Sequence, residues 1–275
     1  MLGAIAGDVI GSVYERGGLK TTQFPLFVPG SRFTDDTVCT VALADSLLTG
    51  SDYAQLLKQY VRRYPDAGYG GTFFYWGHSD NFQPYQSWGN GSAMRVSPVA
   101  WANDTMDEVL EAAERSAAIT HDHPQGIRGA QAIAAAVFLA RQGADKEDIR
   151  DFIESTFFYD LSESLASIRT WYRFDVSCQG SVPQAITAFL ESHDFEDAVR
   201  KGISLGGDSD TIACMAGAIA EAHYGGVPAH IVAEVTARLD PPLLQTVELF
   251  TTRYRIPTPS AGNFQETQNL HHPLR

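Results

Sequence analysis

Apolar residues recurring at intervals of three and four run through most of this chain, and that period constrains its fold more than any other feature. Leu2, Ile5, Ala6, Val9, Ile10 and Val13 form one such face. Val38, Val41, Ala42 and Leu48 form a second, which ends at Gly50, a residue suited to closing a helix. The segment "GIRGAQAIAAAVFLARQG" (126–143) is alanine-rich and closes on a basic residue and a glycine. "SVPQAITAFLES" (181–192), "DFEDAVRKGISLG" (194–206), "TIACMAGAIAEAHYGG" (211–226) and "PAHIVAEVTARL" (228–239) continue the pattern. Strand-like alternation is scarce. The expectation is an all-α single domain over residues 1–255, followed by a polar, proline-punctuated and irregular tail, 256–275, in which His271 and His272 belong to a solvated end.

Bulk properties narrow the function. The chain has 275 residues and is 44% hydrophobic, enough for one sizeable core. No charge-free apolar run reaches the length of a membrane span, so no transmembrane helix is expected. The start, "MLGAIAGDVI", lacks a basic region and is interrupted by Asp8, which argues against a signal peptide. Three cysteines without a CxxC spacing argue against a disulfide framework or a structural zinc site. Cys39 and Cys214 fall in apolar helical patterns and read as small core residues, and the set fits a reducing cytoplasm. A net charge of −13 disfavours nucleic acid and anionic membranes as partners.

One internal region breaks the helical pattern. Residues 64–95 hold six of the 24 glycines, together with Tyr69, Phe73, Phe74, Tyr75, Trp76 and Trp88. The expectation is a long, aromatic, glycine-rich loop, because loops of that length inside a domain are usually functional or disordered and the aromatic content argues against disorder; its part 69–95, with the Gly89-Asn90-Gly91 turn, is expected to form one wall of a ligand cleft.

Two short acidic clusters carry the chemistry. "FTDDT" (33–37) and "GGDSDT" (206–211) each place two aspartates and a threonine just before a long apolar run. Asp and Thr are good helix caps, and early acids suit the helix dipole. Capping explains part of each cluster but leaves a duplicated surplus of carboxylate. The alternative is metal binding. Four carboxylates and two hydroxyls form an all-oxygen set that suits hard cations such as Mg²⁺ or Mn²⁺, two of which, bridged by a carboxylate, could use the whole set. Asp8, Ser12 and Glu15 form a further polar stripe at +4 and +3, either facing solvent or aiming a carboxylate into a site.

Several motifs in order resemble the ADP-ribosylglycohydrolases, a family that includes dinitrogenase reductase-activating glycohydrolase and ADP-ribosylarginine hydrolase. They are Gly7-Asp8 with Gly11 and Glu15, "TDDT" at 34–37, "YGGTF" at 69–73, "SWGNGSAMRVSP" at 87–98, "THDHP" at 120–124 and "GGDSDT" at 206–211. Together they cover residues 3 to about 226, and the tandem of "TDDT", "GNGSAMR" and "GGDSDT" is highly specific. The resemblance implies a compact helical fold and a binuclear Mg²⁺ or Mn²⁺ site on Thr34, Asp35, Asp36, Asp208, Asp210 and Thr211. It implies that Glu15 acts near the scissile bond, with Asp35 and Asp36 as further catalytic residues. A phosphate-binding loop falls on Ser87, Trp88, Gly89, Asn90 and Gly91, with Met94 close by, and His121 lies by the adenosine or distal ribose. Glycines flanking Asn90 agree with this, since a diphosphate wants several backbone N–H groups in a concave turn. An ordinary turn before a helix, a Trp88 that merely packs and a His121 that merely caps are the alternative readings. The chain is short for the family, and Ser92 stands where many members have glycine or alanine.

The implied function is metal-dependent hydrolysis that removes ADP-ribose from an ADP-ribosylated acceptor at C1 of the distal ribose. Two alternatives remain at this stage: an ADP-ribose or nucleotide-binding protein without turnover, and a metal-dependent phosphoesterase that cleaves the pyrophosphate.

Overall fold

The computed structural model describes residues 1–15 and 17–257. The expected tail therefore lies almost wholly outside the described residues, as do His271 and His272. Among the described residues there are fifteen helices and, in place of strands, a single isolated bridge between Gly89 and Ser177. The first half of the chain contains α1 (Leu2–Gly11), α2 (Asp35–Thr49), α3 (Tyr53–Arg63), α4 (Gly71–His78), α5 (Gly91–Met94), α6 (Ser97–Ala102), α7 (Met106–Ala118) and α8 (Pro124–Arg141). The second contains α9 (Lys146–Phe157), α10 (Leu165–Trp171), α11 (Cys178–Leu190), α12 (Phe195–Ile203), α13 (Ser209–His223), α14 (Ala229–Thr236) and α15 (Pro241–Arg253). No helix among the described residues is long and apolar enough to cross a membrane.

The centre of the fold is the antiparallel pair α1 and α13, with α8, α11 and α12 packed around α13. Gly3, Gly7 and Gly11 lie four residues apart and so share one face of α1. A Cβ on Gly3 would stand 2.3 Å from Gly217 O, one on Gly7 2.1 Å from Ala213 O, and one on Gly11 2.4 Å from Asp210 Cα. Only glycine permits backbones this close. The contact sets the register: the start of α1 meets the end of α13, where the Glu221 carboxylate accepts hydrogen bonds from Leu2 N (3.2 Å) and Gly3 N (2.9 Å). The end of α1 meets the start of α13 and so delivers Asp8 and Gly11 to the second acidic cluster.

α2 joins this pair through its first turn. Its N-cap is Thr34, whose side chain accepts from Asp36 N, and it stops at Gly50 in the left-handed conformation (φ 73°). Cys39, Cys178 and Cys214 are all free and buried.

Two expectations need correction. α1 ends at Gly11 and Ser12–Glu15 form a turn, so Asp8, Ser12 and Glu15 do not share a continuous helical stripe. Segment 64–95 is not one loop, because it contains the whole of α4 and of α5. Gly70-Gly71 and four aromatic residues are poor helix formers. Tertiary contacts decide instead: the buried Lys58 ammonium donates to Trp76 O and to Ser79 O (3.0 Å) at the end of α4 and lies 4.1 Å from the Trp76 ring centroid.

Candidate active site

α1, α2 and α13 bring their ends together at the floor of a cleft of about 730 Å³. Every residue that the resemblance assigns to the metal, ligand or catalytic site lines it: Glu15; Thr34, Asp35 and Asp36; Ser87 to Gly91; Met94; His121; and Asp208, Asp210 and Thr211. Ala67, Gly68 and Gly70 to Phe73 line it as well, so segment 69–95 does contribute a wall although part of it is helical.

The approach to α13 is built by Gly206 and Gly207, both in the left-handed region at φ 69° and 74°. A Cβ on Gly207 would stand 2.9 Å from Arg173 O, so two successive glycines are needed for the chain to turn tightly beneath residues 172–174. Asp208 then sits at the N-cap of α13 but makes no capping hydrogen bond; its carboxylate accepts from Asn90 Nδ2 at 2.6 Å. Asp210 projects from the first turn, and Thr211 Oγ1 donates to Asp36 Oδ2 at 3.2 Å, tying the two acidic clusters together.

Asp8 is fully buried and faces neither solvent nor the open cleft. It accepts from Thr34 N (2.9 Å), Thr34 Oγ1 (2.7 Å), Thr37 N (3.1 Å) and Thr37 Oγ1. A carboxylate on α1 thereby satisfies N–H groups at the start of α2 that have no intrahelical partner. One oxygen each of Asp8, Asp36 and Asp210 lie within 4.8 Å of one another, as do one each of Glu15, Asp208 and Asp210. Asp210 belongs to both triads.

This concentration of carboxylate is electrostatically costly. None of the eight ion pairs among the described residues involves Asp8, Asp35, Asp36, Asp208 or Asp210. Burial, and then the neighbouring Asp8 and Asp208 charges, push the Asp35 carboxyl up to about 8. Burial raises Asp208 to about 6, with the Asn90 hydrogen bond opposing it. Asp36 and Asp210 are raised well above the usual carboxylate range, by burial first, and then by the Asp8 and Asp210 charges for Asp36 and by the Asp208 and Asp8 charges for Asp210. Asp8 is raised by burial, against the pull of its four hydrogen bonds from Thr34 and Thr37. Asp36 Oδ1 is buried with no hydrogen-bond partner among the described residues. An orphaned carboxylate oxygen within an all-oxygen donor set fits a hard cation.

The opposite wall is the 87–91 turn. Gly89 N donates to Ser87 Oγ (3.2 Å) and Asn90 N to Val176 O (2.7 Å), so two of its amides are already committed and any ligand must draw on others. Trp88 is 56% exposed at the rim, with its ring inclined at 63° to that of His123. Ser92 is fully buried and donates to Gly126 O at 2.8 Å, so the hydroxyl at this position is used in packing the turn onto α8.

Arg32, residues 174–177 and Arg95 line the cleft without a role read from the sequence. Residues 174–177 line it, and Val176 together with the following Cys178 holds the Gly89 turn through the Asn90 N–Val176 O and Cys178 N–Trp88 O bonds. No local motif marks them. Arg95 also lines the cleft and is buried, as a cation inside the recognised "GNGSAMR" run.

Comparison with known proteins identifies the family. A sequence model of the ADP-ribosylglycohydrolase family matches residues 1–255. The chain is 32% identical over 305 aligned positions to the ADP-ribosylhydrolase ARH3 of Bos taurus, covering 82% of this chain and 84% of that protein. It is 26% identical over 270 positions to the ADP-ribosylarginine hydrolase Tri1 of Pseudomonas putida (strain GB-1), covering 86% of this chain and 72% of that protein. A solved structure described as an ADP-ribosylglycohydrolase-related protein complex superimposes with a TM-score of 0.71 at 26% identity, covering 93% of this chain and 95% of that one. The fold, the family match along residues 1–255 and the identity to ARH3 lead to one conclusion: this chain belongs to the ADP-ribosylglycohydrolase family.

Proposed function

We propose that this enzyme is a metal-dependent hydrolase that cleaves the bond between C1 of the distal ribose of ADP-ribose and an acceptor atom. The observation that carries this reading is the buried carboxylate cluster at the floor of the cleft, which has no basic partner among the described ion pairs and includes the orphaned Asp36 Oδ1. Such a cluster is tolerable only if it is protonated or neutralised by cations. Thr34, Asp35, Asp36, Asp208, Asp210 and Thr211 would hold two Mg²⁺ or Mn²⁺ ions. When bound, a divalent pair supplies Lewis-acid polarisation and an ordered, more acidic water.

The residues of the chain have separable tasks. The anionic floor favours the positive charge that develops on the ribose as the C1–acceptor bond breaks. Glu15, half-buried at the cleft beside Asp208 and Asp210, transfers the proton that leaves water and reaches the departing acceptor. The 87–91 turn receives the diphosphate through its uncommitted amides, while Asn90 holds the turn to Asp208. Trp88 offers its exposed ring to a base. Asp8 takes no direct part; it holds the start of α2 in place.

Tri1 bears the name of an ADP-ribosylarginine hydrolase, which makes an arginine conjugate of ADP-ribose the first substrate to try, beside serine and small-molecule conjugates as other acceptor types. The test is hydrolysis of such a panel with Mg²⁺ or Mn²⁺ and with chelator. Release of free ADP-ribose in metal alone supports the reading. Release of AMP would instead establish a pyrophosphate-cleaving enzyme, and tight ADP-ribose binding without turnover of any conjugate would establish a binding protein.

A further inference from the structure

His121 is the end of a buried chain of three side chains. Arg95, 1% exposed, donates from Nη2 to Ser116 O (3.0 Å) and to Thr120 Oγ1 (2.9 Å). Thr120 is fully buried, and its Oγ1 lies 2.7 Å from His121 Nδ1. Arginine can only donate, so Thr120 Oγ1 accepts from Arg95. A hydroxyl has one proton, and the only acceptor within reach of Thr120 Oγ1 among the described hydrogen bonds is His121 Nδ1. Were Nδ1 to carry a proton itself, the buried Thr120 proton would be left without a partner, which is costly. The chain therefore runs in one direction, from guanidinium to hydroxyl to an unprotonated Nδ1.

The other ring nitrogen faces the cleft. A Cβ added to Gly91 would stand 3.1 Å from His121 Nε2, so this edge of the ring lies against the 87–91 turn. His121 Nε2 has no hydrogen-bond partner among the described residues, and the residue lines the cleft. Burial, then the nearby Arg95 charge, hold the imidazole pKa well below its usual value, which keeps the ring neutral.

We infer that Arg95 and Thr120 are positioning residues which lock His121 in its Nε2–H tautomer, so that it presents one fixed, neutral hydrogen-bond donor to an acceptor oxygen of the ligand beside the Gly89–Gly91 turn. This rests on the reading above for the identity of the ligand, but the lock itself is a property of the free protein. A ligand atom placed there must be an acceptor, such as a phosphate or ribose oxygen, because a donor would face Nε2–H. The tautomer is set from behind by the packing of the turn after α5 against the end of α7, at a distance from the acidic floor.

The test is long-range ¹H–¹⁵N correlation NMR of the histidine rings in the full chain, with His121 assigned through His121→Gln, together with titration of ADP-ribose. The wild type should show a protonated Nε2 and an unprotonated Nδ1. Thr120→Val keeps the side-chain shape but removes the hydroxyl, so it should give a mixture of tautomers and bind ADP-ribose about tenfold more weakly, the loss of one oriented hydrogen bond. Thr120→Ser should restore both. A purely structural Thr120 would change thermal stability in the valine variant but leave the tautomer as it was. A wild-type His121 protonated on Nδ1, or a Thr120→Val variant that keeps the wild-type tautomer, would overturn the inference. If the tautomer behaves as described but the wild type does not bind ADP-ribose, the lock stands and the ligand assignment falls.

Discussion

α12 and α13 begin with the same residue type used in opposite ways. At α12 the N-cap Asp194 accepts from Asp197 N at 2.8 Å, and the acids of the first turn pair with Arg200 and Lys201 one turn on. Asp52, Asp145 and Asp240 cap α3, α9 and α15 similarly. At α13 the N-cap Asp208 makes no cap bond, Asp210 accepts from Thr211 N (3.0 Å) but has no ion pair among the described residues, and both carboxylates are buried against a second acidic helix start. An acid at a helix start is ordinary when its oxygens serve the helix's own N–H groups. It signals a site when the helix goes uncapped and the oxygens gather elsewhere. Stability is given up locally at α13, which is a common mark of function.

The largest difference between the two helices should appear on deleting an acid from α13. Asp210→Ala should abolish hydrolysis and remove the thermal stabilisation given by Mg²⁺ or Mn²⁺, which arises because the ions bind only the folded state. In chelator the same change removes a buried, repelled carboxylate and should leave the melting temperature equal or higher. Melts of both proteins in metal and in chelator check the sign. A variant that is equally destabilised in both conditions would make Asp210 a structural residue.

Glu15 comes next. It neither caps a helix nor is fully buried, so Glu15→Gln should change stability by no more than about 0.5 kcal/mol. As a proton-transfer group it should lower kcat by roughly 10²- to 10⁴-fold. Affinity for ADP-ribose should change far less, because an interaction made mainly in the transition state appears in kcat. Single-turnover kinetics with the preferred conjugate measure this, and a fully active variant would remove Glu15 from the chemistry.

The pH dependence reads the acidic cluster at the starts of α2 and α13 without mutation. A carboxyl raised on folding contributes stability below its unfolded value near 4, and that contribution is lost as pH rises through the folded value. With Asp208 at about 6 and Asp35 at about 8, the chelated protein should lose stability between these pH values and the unfolded one, from the acid side upward. In Mg²⁺ or Mn²⁺ the trend should reverse, because the ions need ionised ligands and displace protons. Chemical denaturation at several pH values, with and without metal, tests both slopes.

The smallest effect belongs to α12. Asp194→Ala should cost about 1 kcal/mol through the lost cap and leave hydrolysis unchanged. A loss of activity there would mean that the contrast between the helix starts has been drawn in the wrong place.

Much of this was legible in the sequence because it is local. The periods of α2, α8, α11, α12 and α13 are carried within each segment, and the two acidic clusters stand out where each apolar run begins. The relations across the fold were harder to read. Gly3, Gly7 and Gly11 match Gly217, Ala213 and Asp210, more than 190 positions away, and nothing near them names that partner. Asp8 is spaced like a member of a polar stripe, but its role depends on Thr34 and Thr37 of another helix. α4 is hidden by its own glycines and aromatics and depends on Lys58. The Arg95–Thr120–His121 chain joins two motifs that are adjacent only in three dimensions.

The most direct test of the carboxylate cluster as a metal centre is isothermal titration calorimetry of chelator-stripped protein with Mn²⁺ and Mg²⁺, in two buffers of different ionisation enthalpy. The expected result is binding of two ions per chain, with protons released to the buffer as the raised carboxyls ionise, and loss of that binding in Asp36→Ala and Asp210→Ala. No binding by the intact protein, or binding that survives both substitutions, would contradict it.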